Sequence, residues 1–127
     1  MNDIPPFRDL RRLAIGEVER TLETMPPEVL AKARELAILY EATPSTEMVA
    51  EGVEPDTLGL FIGANCHEIH AGGVQQASHI ILFLEPIWDQ ADGEEEFFLE
   101  EVRATFLHEL GHYLGLDEGD LEARGLG

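Results

Sequence analysis

The chain has 127 residues, enough for one hydrophobic core and too few for two, so a single domain over residues 1–127 is expected. Its apolar fraction of 44% suits a globular protein, and no run approaches the ~18 consecutive apolar residues of a membrane span, so no membrane association is expected. The formal net charge is −18 and all eight Lys and Arg residues lie at positions 8–34, 103 and 124, so residues 35–102 contain no Lys or Arg, a field that repels polyphosphates and argues against a nucleic-acid partner.

The same field would concentrate a cationic or neutral peptide, but a solvated acidic surface that keeps the protein soluble is the simpler account of the charge. The opening "MNDIPPFRDL" has neither an apolar segment behind it nor the Arg-rich character of a transit peptide, which leads to the expectation of a cytoplasmic protein. A single cysteine, Cys66, excludes an internal disulfide and suits a reducing compartment.

In chain order, "PPFRDLRRLAIGEVERTLETM" spaces Phe7, Leu10, Leu13 or Ala14, Val18 and Leu22 by three or four residues and is closed by Pro26 and Pro27, the pattern of an amphipathic helix. Those prolines open a shorter helical segment, "PPEVLAKARE", because the first helical turn does not need the missing N–H. "LAILYEA", stopped by Thr43 and Pro44, reads as a first strand over residues 36–42. "TLGLFIG" and "SHIILFLE" read as two further strands, joined by a fourteen-residue connection, "ANCHEIHAGGVQQA", longer than most loops in so small a domain. After "EPIWDQADG", taken as a turn, "EEEFFLEEVRATFLHELGHYLG" begins with three glutamates suited to a helix N-terminus and stops at Gly115.

In that last helix Leu99, Val102, Phe106, Leu110 and Leu114 form one stripe, while Phe97, Ala104 and Leu107 add apolar groups elsewhere. A helix apolar on several sides is buried centrally, here between the sheet and the N-terminal helix. The order of elements does not alternate as in a doubly wound fold. An α+β domain is expected, with a small three-stranded mixed or antiparallel sheet packed against an N-terminal helix and a central final helix. Trp88, Phe97 and Phe98 are expected in the core.

The final helix carries "HELGHYLGLDE", residues 108–118. His108 and His112, four positions apart, project from nearly one face, about 40° apart and roughly 6 Å along the axis. Two imidazoles so placed can bind one zinc, and Glu109, about 100° further round, lies beside the metal rather than on it. There it can take a proton from a zinc-bound water whose pKa has fallen toward ~7, and pass it to a leaving amine. Two histidines complementing a helix C-terminus would explain the imidazoles but not Glu109 or the acids that follow.

With these residues the chain resembles the small bacterial zincin-like metallopeptidases, single-domain proteins carrying HExxHxxGxxE near the C-terminus. The resemblance spans nearly the whole chain, although only the last twenty or so residues carry specific motif positions. It implies a minimal zincin fold, Zn²⁺ on His108 and His112, Glu109 as general base, an acidic third ligand at Glu118, and hydrolysis of peptide bonds in a peptide or protein substrate. Metzincins are a poorer match, since they place a histidine where this chain has Glu118 and need a methionine turn downstream, whereas Met1, Met25 and Met48 all precede the helix.

Among the acids after Gly115, Asp117 and Asp120 read as first-turn residues of a short "DEGDLEARG" helix, with Asp117 the main rival of Glu118 as third ligand. Cys66, His67 and His70 in "NCHEIH" are ligand types, yet a closed zinc site needs four and no fourth is evident, so a surface loop is the simpler reading. His67, His70, Tyr40, His79 and Tyr113 all remain open as groups that could steady an oxyanion. Zincins lay substrate antiparallel along an edge strand beside the catalytic helix, and residues 78–84, the most strand-like stretch, are expected to provide it. Two other functions stay in view, a zinc-containing module that grips a peptide without cutting it and a zinc hydrolase of another amide or ester; Glu109 is what a hydrolase needs and a binding module does not.

Overall fold

A computed structural model describes residues 4–63 and 78–115 of the chain. Helix α1 spans Phe7–Glu23 and buries Leu10, Ala14, Val18, Thr21 and Leu22, the stripe expected from their spacing. Pro26 caps α2, Pro27–Ala33, and strand β1 follows at Ala37–Glu41. A short helix, α3, occupies Thr46–Ala50, with the Ser45 side chain accepting the Met48 backbone N–H at 3.1 Å. Strands β2, Gly59–Ile62, and β3, His79–Phe83, precede α4, Leu84–Gln90, and α5, Glu95–Tyr113.

The fold is α+β, with a mixed three-stranded sheet in the order β1-β3-β2. Strand β3 runs parallel to β1, with Ala37 opposite His79, and antiparallel to β2, with Gly59 opposite Leu82. It is therefore paired on both sides, which overturns the expectation that residues 78–84 form a substrate-holding edge. The physical reason lies in "HIILF": Ile80 and Leu82 on one face, and Ile81 and Phe83 on the other, are all buried. A strand apolar on both faces belongs in the middle of a sheet, whereas β1, whose burial alternates along its length, can tolerate an edge. Among the described residues the edges are β1 and β2.

The segment "EPIWDQADG" is not the turn its Pro, Asp and Gly content suggests. Its first part lies in α4, where Pro86 sits in the first turn and loses no helical hydrogen bond, and where Leu84, Pro86 and Ile87 are buried. Only Asp92 and Gly93, at φ 54° and 73°, make the turn into α5. No helix among the described residues is long and apolar enough to cross a membrane.

Helix α5 is the centre of the molecule, packed against α1, α4, β2 and β3. Phe98, Val102, Phe106, Leu107, Leu110 and Tyr113 are all buried on it, so its apolar groups do face several neighbours. Of the three aromatic residues assigned to the core, Phe98 is fully buried and meets the half-buried Trp88 edge to face at 5.5 Å between ring centres. Phe97 is 53% exposed, contrary to expectation, because its neighbour on the helix, about 100° away, takes the inward direction.

Candidate metal centre

The functional side chains sit on the C-terminal half of α5, whose position is fixed by the buried residues interleaved with them. Leu107, Leu110, Gly111 and Tyr113 face inward, while His108 and Glu109 are half-buried and His112 is exposed. Glu95 and Glu96 favour the helix at its N-terminus, where carboxylates oppose the dipole. At the other end Gly115 adopts φ 74°, the left-handed conformation expected of a glycine that ends a helix, and its N–H donates to the His112 carbonyl at 3.0 Å.

The Nε2 atoms of His108 and His112 are 3.3 Å apart, with the two rings nearly perpendicular at 86°. Two nitrogens bound to one tetrahedral zinc at about 2.0–2.1 Å each would themselves be about 3.3–3.4 Å apart, so the pair is spaced as two ligands of one ion. Glu109 joins them: a carboxylate oxygen and both ring nitrogens lie within 4.8 Å of one another. Two imidazoles at that spacing are donors that zinc accepts, and a carboxylate beside them suits such a site, so the residues present fit zinc. The other acids and ligand types named above, Asp117, Glu118, Asp120, Cys66, His67 and His70, lie outside the described residues.

Beside the group is a cleft of about 330 Å³ lined by Leu58, Gly59, Ala104, Thr105, His108 and Glu109. One wall is the start of β2 and the other is the turn of α5 that precedes His108. Among the described residues, the edge strand beside the site is thus β2. The sequence contained a sign of this in Gly59, an isolated glycine in a strand, which marks a bulge or a close approach of backbone. Ala104 and Thr105, four and three positions before His108, share its helix face, but nothing in the sequence says which strand they meet.

Of the candidates for steadying an oxyanion, Tyr40 is far removed in the topology. It lies on β1, across β3 from the strand beside the site, and the Arg11 guanidinium stands over its ring at 5.7 Å. Tyr113 is buried, its ring 6.0 Å from that of Phe61 and tilted by 57°. His79, at the start of β3, is not a member of the His108–Glu109–His112 group. Burial pushes the Tyr40 phenol up to about 12, helped by the Glu19 carboxylate and opposed by Arg11. An unfolded tyrosine ionises near ~10, so between about pH 10 and 12 the unfolded chain loses a proton that the folded one keeps, and stability falls with rising pH. Tyr40→Phe should flatten that decline, as read from urea midpoints of both proteins between pH 9 and about 12; superimposable pH profiles would contradict it.

The molecule is thus a small α+β domain whose central helix brings two imidazoles and a carboxylate together as a group that could hold a metal ion. A family model described as zincin-like metallopeptidase matches residues 33–127, and the chain belongs to that family. A comparison with curated proteins gave no match.

Proposed function

We propose that the protein is a zinc-dependent peptidase that hydrolyses peptide bonds in a peptide or protein substrate, with His108, His112 and Glu118 as metal ligands and Glu109 as general base. The observation that carries this reading is the 3.3 Å spacing of the two imidazole nitrogens with the Glu109 carboxylate alongside. Zinc held there would polarise the scissile carbonyl and lower the pKa of a water toward ~7.

Glu109 accepts the proton of the attacking water and delivers it to the leaving amine. Its half-buried position in the wall of the cleft supports that role. The substrate backbone extends β2 on the side away from β3, so the strand supplies main-chain hydrogen bonds and the cleft receives a side chain. A module that only binds peptide would have no use for Glu109, which favours hydrolysis over that alternative. An ester or another amide could be attacked by the same water.

The deciding experiment incubates zinc-loaded protein with a mixed peptide library and reads new termini by mass spectrometry, with a chelated sample and a zinc-restored sample in parallel. New termini that disappear with the chelator and return with zinc are expected. Cleavage indifferent to the metal, or none in any sample, would reject the peptidase.

A further inference from the structure

The strand next to the site contains a glycine that its backbone conformation does not demand. Gly59 has no left-handed φ, unlike Gly63 of the same segment at 113°, so any residue could adopt its backbone. What it lacks is space. A methyl group on Gly59 would come within 2.7 Å of Thr105 Cγ2, 3.2 Å of the Ile81 carbonyl oxygen and 3.4 Å of Leu82 Cδ2. The Ile81 oxygen is main chain of the central strand and cannot swing aside, and Thr105 is buried, so a turn of its side chain to the other rotamer that a helical threonine uses would have to find room in the core. A side chain at position 59 therefore parts β2 from α5 unless Thr105 turns away.

Thr105 precedes His108 by one helical turn, so that separation would move the strand relative to His108 and Glu109 rather than relative to some remote surface. We infer that Gly59 is a positioning residue whose missing side chain, seated on Thr105, sets the spacing between the peptide-holding strand and the helix of the metal group. The inference rests on the reading of the cleft as the place where peptide is held. The metal pair itself does not depend on this spacing, because His108 and His112 share one helix. A substrate does, since it must meet the strand and the reacting groups together, and a misplacement of about 1 Å can cost on the order of 10²-fold.

Two probes separate the strand from the metal. Acetohydroxamate is a small chelating group that engages zinc alone, while the tripeptide hydroxamate Pro-Leu-Gly-NHOH carries a peptide that must also lie in the cleft. Their affinities are measured by calorimetry on zinc-loaded wild type, Gly59→Ala, and Gly59→Ala combined with either Thr105→Ser or Thr105→Val. Gly59→Ala should weaken the tripeptide hydroxamate by about tenfold or more and acetohydroxamate by less than about threefold. Thr105→Ser, which removes the opposing methyl and keeps the hydroxyl, should recover most of the loss; Thr105→Val, which keeps a methyl and removes the hydroxyl, should not.

Equal losses on both probes, or equal behaviour of the two double variants, would overturn the role of Gly59. If Gly59→Ala does not fold while its combination with Thr105→Ser does, the contact is a requirement of the fold, and the positioning role again falls. Failure of zinc-loaded wild type to bind acetohydroxamate would instead count against the metal centre, so the two readings fail by different results.

Discussion

Glu109→Gln is expected to lower peptide turnover by ~10²-fold or more while zinc binding and the fold are retained. The amide is close to the carboxylate in shape, so it keeps the packing of a half-buried residue whose next neighbour, Leu110, is in the core. It cannot accept a proton, and the loss therefore falls on the chemical step. Progress curves at matched zinc occupancy, with thermal melts of both proteins, make the comparison. Equal turnover by the two would remove Glu109 from the mechanism.

The second large effect concerns Glu118, the proposed third ligand. His108 and His112 supply two ligands, and catalytic zinc sites usually take three from the protein. Glu118 stands three residues after Gly115, whose φ of 74° ends the helix. Glu118→Ala should weaken zinc by more than the ~10- to 100-fold that loss of an outer hydrogen-bonding partner costs, whereas Asp117→Ala should change it little. Competition against a chelating zinc indicator measures both variants, and a larger effect at Asp117 would transfer the ligand role to that residue.

Much of this arrangement can be read from short-range pattern. The 3.6-residue period of α1, the acidic start and glycine stop of α5, and the composition of the three strands are local properties, and those elements lie where the sequence puts them, within a few residues. The metal pair is equally local, because a separation of four on a helix fixes the distance between two side chains. What depended on distant parts of the chain was not legible. Helices α3 and α4 are five and seven residues long, too short for a period to emerge, and α4 is held by buried Leu84 and Ile87 rather than by propensity. The order of the strands, and with it the identity of the edge, follows from which faces the rest of the molecule covers. Phe97 and Phe98 show the same limit at the scale of one residue: composition gives both to the core, and geometry admits one.

The central placement of β3 also orders the events of folding. Strands β1 and β2 share no ladder with each other, so each waits for β3, across separations of 42 positions, from 37 to 79, and 23 positions, from 59 to 82. Closing such loops costs conformational entropy before any sheet contact repays it. The two histidines need no such closure, since one stretch of helix brings them together. The spacing of the imidazole pair is thus set locally, and completion of the cleft needs the whole sheet. On the reading proposed above, a chain whose helix had formed but whose sheet had not would have its two imidazoles in place for zinc and would still lack the strand that presents a peptide to Glu109.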